Sequence, residues 1–150
     1  MNSRRTVLLA LAAACLWPAA AQTPAAADAQ PKVFVYRYKA FEGKGLRPSI
    51  YVDDKDVVRL QSGRGVALSL PAGPHRFRSN DKQSQIELDL KPGQTYYIRL
   101  EIASGFFKGH GRLTLVMPEQ GAGEYKQLKP VDKGMIKDTS LLASDFTPTP

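Results

Sequence analysis

The sequence predicts an all-β protein: an antiparallel two-sheet β-sandwich of about seven to nine short strands, preceded by a signal peptide. Three observations predict it. Through residues 32–128 apolar and polar side chains alternate with a period of two, which places successive side chains on opposite faces of a strand. Turn-forming residues interrupt these runs at short intervals. Ahead of them stands a short apolar run behind Arg4 and Arg5.

That leading segment comes first in the chain. Arg4 and Arg5 form its positive end, Thr6 to Trp17 its apolar stretch, and Ala19-Ala20-Ala21 a small-residue cleavage signature after Pro18. The stretch is too short for a membrane span. Cleavage is expected after Ala21, so 1–21 is the signal peptide and the protein is expected to be exported, periplasmic or extracellular. Ser3-Arg4-Arg5-Thr6-Val7-Leu8-Leu9 also resembles a twin-arginine export signal; a general secretory signal with two arginines accounts for the same residues. Leu11-Ala12-Ala13-Ala14-Cys15 resembles a lipobox, in which Cys15 takes a lipid anchor. Ala12, where such boxes carry Leu, and the apolar Leu16-Trp17-Pro18 weigh against it. Without lipidation the only cysteine leaves with the signal, which suits an oxidising compartment.

Residues 22–31 are Ala, Pro and Gln with one charge and read as a flexible linker. Strands are expected near 32–39, 48–53, 56–60, 64–70, 74–79, 83–90, 94–103 and 110–117. In the first, Val33, Val35 and Arg37 oppose Phe34, Tyr36 and Tyr38. Val66, Leu68 and Leu70, then Ile86, Leu88 and Leu90, then Tyr96, Ile98, Leu100 and Ile102, then Leu113, Leu115 and Met117 each share a face. One-sided burial belongs to antiparallel sheets. Asp53-Asp54-Lys55 reads as a tight hairpin turn, and Pro71-Ala72-Gly73-Pro74 and Lys91-Pro92-Gly93-Gln94 as further turns. The stretch 119–128 reads equally as a final strand or as one helical turn and a strand. Residues 129–150, with Lys129-Pro130, Gly134 and a Pro/Thr end, are expected to form a loosely structured tail. The sandwich domain is therefore expected over 32–128.

Pro48-Ser49-Ile50-Tyr51-Val52-Asp53-Asp54-Lys55, Leu68-Ser69-Leu70-Pro71-Ala72-Gly73-Pro74-His75-Arg76-Phe77 and Leu88-Asp89-Leu90-Lys91-Pro92-Gly93-Gln94-Thr95-Tyr96-Tyr97-Ile98-Arg99 have a recognisable shape. Over about 33–125 the chain resembles a family of secreted bacterial proteins known as domain of unknown function 2846. That family is similar to small transthyretin-like or carboxypeptidase-regulatory-like sandwiches, which serve surface proteins as adhesion, carbohydrate-contact or structural modules. The resemblance implies a fold and a compartment and brings no catalytic residues. Pro74 stands where such proteins often carry Lys, which weakens any charged role for that turn.

Chemistry is sparse. The 150 residues hold one Cys and two His, with 21 Lys plus Arg against 14 Asp plus Glu, a net +7. Loss of Arg4 and Arg5 with the signal leaves +5. A mild basic excess without like-charge blocks favours acidic envelope polymers or anionic head groups. One cysteine excludes an internal disulfide and every Cys-cluster metal site. His75 reads as a sandwich-edge imidazole bonded to backbone carbonyls. Gly105-Phe106-Phe107-Lys108-Gly109-His110-Gly111-Arg112 carries Phe106, Phe107, Lys108, His110 and Arg112 as a candidate contact loop; the same Phe residues could instead plug one end of the core. His75, His110 and Asp81 lack metal-ligand spacing, and no nucleophile elbow or phosphate-binding glycine loop is present. Glu87 and Asp89 share a wet strand face. Arg76, Arg78 and Lys82 form a small basic stripe that serves a polyanion or pairs across strands with those acids. Nucleic acid is not expected as a partner, because no basic groove with stacking aromatics is evident. The leading expectation is a non-catalytic exported binding or structural module contacting a cell-envelope polymer or envelope protein, with no cofactor, no metal and no membrane span. The alternatives are a small hydrolase or metal-dependent enzyme using His75 and His110, and a lipid-anchored assembly factor through Cys15.

Overall fold

The computed structural model describes residues 29–41, 43–80, 84–103 and 110–147, with the backbone alone at 103 and 110. The signal peptide, Cys15 and most of the linker lie outside the described residues. The strands are β1 (Lys32–Arg37), β2 (Ser49–Val52), β3 (Lys55–Arg59), β4 (Arg64–Ser69), β5 (Gly73–Arg78), β6 (Gln85–Leu90), β7 (Thr95–Ala103), β8 (His110–Val116) and β9 (Lys129–Pro130), with helix α1 (Pro118–Tyr125) between the last two. They form a five-stranded sheet of order β8-β7-β1-β4-β9 and a four-stranded sheet of order β3-β2-β5-β6. The sandwich expected from the alternating pattern is therefore present. Two pairings in the larger sheet, β1 with β7 and β4 with β9, are parallel, so that sheet is mixed.

Alternation explains the core. Val33 and Val35 of β1 stand opposite Leu68 and Val66 of β4. They meet Ile50, Val52, Phe77 and Leu90 from the smaller sheet and Ile98 and Leu100 from β7, and none of these is more than 1 % exposed. Complete burial of each such side chain stabilises the fold by roughly 1.5–3 kcal/mol before chain entropy is set against it. The β2–β3 hairpin turns where expected, with Asp53 and Asp54 both at positive φ (49° and 69°). That geometry matches a type I′ turn, which suits the right-handed twist of a two-residue hairpin.

The structure corrects the pattern in four places. The outer face of β1 is not wet: Tyr36 is fully buried and Phe34 half-buried, because α1 lies over them. Of the face shared by Leu113, Leu115 and Met117 only Leu113 is buried, while Leu115 and Met117 are 47 % and 70 % exposed; Leu113 sits beside Ser84, whose Oγ accepts from its N–H at 3.1 Å. The end of the linker is tied down, since Ala29 accepts from Gly93 N–H at 2.7 Å and Pro31 is buried. Finally, residues 129–147 are packed rather than loose. Val131 and Ala143 are buried, and Met135, Ile136, Leu141, Leu142 and Phe146 pack against the core. This segment follows the open edge of β4, with Val131 N–H donating to Gly65 and Ala143 N–H to Ala67 at 2.9 and 3.0 Å. It then reaches β3 through Ile136, which bridges Val58. Covering edges in this way satisfies their backbone groups and blocks pairing with other chains.

Candidate functional site

The loop expected to make contacts is only partly described. Phe106, Phe107 and Lys108 lie outside the described residues, His110 is known by its backbone pairing with Ala103, and Arg112 is exposed on β8 opposite Glu101. His75 is placed fully. Its Nδ1 lies 2.6 Å from Asp53 Oδ2 and its Nε2 3.0 Å from the Pro71 carbonyl, so both ring nitrogens are taken by acceptors. Asp53 also accepts from the Arg76 N–H at 2.9 Å. Burial works to raise the Asp53 pKa, but the Arg76 and His75 hydrogen bonds outweigh it and hold the carboxyl low. Arg76 and Arg78 both pair with Asp54, and Arg78 lies 3.8 Å over the Tyr51 ring. Within the basic stripe, Arg76 and Arg78 thus pair with the hairpin turn rather than with Glu87 and Asp89 across the strands, and Lys82, like Asp81, lies outside the described residues. Among the described residues no group of three or more His, Cys, Asp or Glu is placed to hold a metal ion.

Under α1 lies an aromatic layer. Phe34 stacks on Tyr97 at 5.1 Å and meets Tyr125 edge-on at 4.8 Å. Glu124 reaches into it and accepts from the Tyr36 hydroxyl, from Gln120 Nε2 at 2.7 Å and from Arg99 Nη1 at 3.2 Å. Burial opposes the Glu124 charge most, yet the hydrogen bonds from Tyr36, Tyr38 and Gln120 and the Arg99 guanidinium together hold its carboxyl below the usual range. Burial, then Glu124 itself, pushes the Tyr36 phenol up. These groups hold the helix on the sheet.

The remaining concentration of chemistry is a basic cleft of about 450 Å³, lined by Lys39, Lys44, Arg47, Arg64 and Lys129 together with Ser62 and Gln127. Three separate segments build it, and Gly63 joins them. Its N–H donates to the Arg37 and Tyr38 carbonyls at 3.1 and 3.2 Å, and its carbonyl accepts from Lys129 N–H at 3.2 Å. Gly63 has φ +74°, a conformation that favours glycine. Ser62 Oγ accepts from Ala40 N–H at 3.0 Å. Arg37, buried to 2 % exposure, donates to the carbonyls of Leu46 and Gly43, both at 2.8 Å, and so holds the loop that carries Lys39, Lys44 and Arg47. Arg64 pairs with Asp132 at 3.0 Å. Lys39, Lys44, Arg47 and Lys129 form no ion pair with any described carboxylate. Like charges held together raise the local potential, and an anion relieves it.

The fold is that of a two-layer β-sandwich domain with a helix on one outer face. The chain belongs to the family described as protein of unknown function DUF2846, whose model matches residues 27–111. It is 30 % identical over 91 residues to an uncharacterised protein of Haemophilus influenzae, an alignment covering 59 % of this chain and 54 % of that relative. The chain therefore matches about half the length of that relative. No solved structure matches it.

Proposed function

We propose that this chain is an exported, non-catalytic module of the cell envelope that binds an anionic envelope component in the basic cleft. One observation carries the reading: Lys39, Lys44 and Arg47 of one loop meet Lys129, distant in sequence, in one cleft without ion-pair partners among the described carboxylates. The leading segment 1–21 supports export. Engagement of both His75 nitrogens and of Glu124 by structural partners supports a non-catalytic role, since those are the groups best suited to acid–base work.

Calorimetric titration of the chain beginning at Gln22 with inorganic polyphosphate, against neutral dextran, tests it. Binding to polyphosphate alone is expected, weakening as salt rises. The double substitution Lys44→Glu, Arg47→Glu should lower the affinity by roughly tenfold or more. Equal responses to both polymers, or an unchanged affinity in the double variant, would contradict the reading.

A further inference from the structure

We propose that the anionic component is the surface of a phospholipid bilayer and that residues 38–47 form the docking loop, an inference that rests on the anion-binding reading of the cleft. Phe41, in the middle of this loop, is 95 % exposed, and Leu46 at its return is 43 % exposed. Lone apolar side chains on a surface are ordinary; these share one loop with three cations that line the cleft. Lys39, Lys44 and Arg47 flank them, against the single acid Glu42 in the same stretch.

The exposure is held in place rather than a product of slack. At the root of the loop, Ser62 Oγ and Gly63 N–H bond the backbone of 37–40. Its middle folds as two tight turns, Lys44 N–H to Phe41 and Leu46 N–H to Gly43, at 3.3 and 2.9 Å. The buried Arg37 guanidinium clamps the second turn from beneath. Gly43, at φ +63°, has no room for a side chain larger than hydrogen without pressing on Arg37 and Ile102. Phe41 thus accepts the bond that closes the first turn and presents its ring to solvent.

An exposed phenyl ring on a loop that also carries cations matches the boundary of an anionic bilayer, where the ring enters the acyl edge and the ammonium and guanidinium groups meet phosphates. A soluble polyanion would engage the same cations and leave Phe41 without a role. That difference separates the bilayer from a polymer.

Sedimentation of the chain beginning at Gln22, which keeps every described element, with vesicles tests the inference. Phosphatidylcholine vesicles and vesicles of phosphatidylcholine with phosphatidylglycerol are compared. Binding is expected to the mixed vesicles alone and to fall in high salt. Phe41→Ser should weaken vesicle binding about tenfold while polyphosphate binding stays as it was. Phe41→Trp supplies the sole Trp of that chain, and its emission should shift to the blue on mixed vesicles. Polyphosphate binding without vesicle binding, or full vesicle binding by Phe41→Ser, would overturn the inference and leave the cleft intact. Loss of both ligands in the unaltered chain would overturn both.

Discussion

Glu124 shows how one carboxylate can hold an element to a sheet. It is a residue of α1, yet its hydrogen-bond partners include Tyr36 of β1 and Arg99 of β7. Its folded pKa lies below the usual 4.5. A carboxyl held low contributes stability that is present above that usual value and is lost as pH falls through the folded one. Glu124→Gln should therefore lower the melting temperature at neutral pH by several degrees, from the loss of charge-assisted bonds of about 1.5–3 kcal/mol. The gap between the two proteins should narrow as pH is lowered from the usual carboxylate value through the lower folded one. Asp53, Asp138 and Asp145 are also held low, but they titrate in both proteins, so thermal melts at a series of pH values isolate Glu124. A gap independent of pH would contradict this role.

The helix itself depends on close approach. A Cβ at Gly121 would lie 2.3 Å from Tyr97 Cβ and Cγ, and a Cβ at Gly65 of β4 would lie 2.4 Å from the Tyr125 ring. Two glycines on opposite sides of the contact thus let the helix settle into the aromatic layer. At Gly123 an added Cβ meets nothing within 4 Å. The pair separates packing from helix propensity. Gly121→Ala should cost about 1–3 kcal/mol by forcing helix and sheet apart, whereas Gly123→Ala should stabilise by about 0.4–1 kcal/mol. Urea unfolding of both variants checks the contrast, and two shifts of the same sign would contradict the seating. The same glycines hid the helix in the sequence. Pro118 and Glu119 are good helix starters, but two glycines in eight residues erase the propensity and leave no apolar stripe. Strands are more legible, because Ile86-Glu87-Leu88-Asp89-Leu90 or Ile98-Arg99-Leu100-Glu101-Ile102 carry their period in side-chain type alone. The C-terminal segment was misread for the opposite reason: Lys129-Pro130 and Gly134 look like loop residues, and only the unpaired edge of β4 makes them structure.

At the scale of the molecule, the two faces of the sandwich divide the charge differently. On the smaller sheet, Arg76 and Arg78 share Asp54 as an ion-pair partner. At the other corner, Lys39, Lys44, Arg47 and Lys129 are brought together and form no ion pair with the described carboxylates. Periodicity exposed the sandwich in the sequence, because strand faces are local. It did not expose the cleft, because its cations come from three segments, 39–47, 64 and 129, and converge only once Gly63 has joined them. The sequence did show the mild basic excess, without its address. Amide chemical-shift mapping of the chain beginning at Gln22 during titration with polyphosphate tests that address most directly. The account expects shifts concentrated at Lys39, Lys44, Arg47, Gly63 and Lys129, with Asp53, His75 and Arg76 unmoved. Shifts centred on the Asp53–Arg78 corner instead, or spread evenly over both sheets, would contradict it.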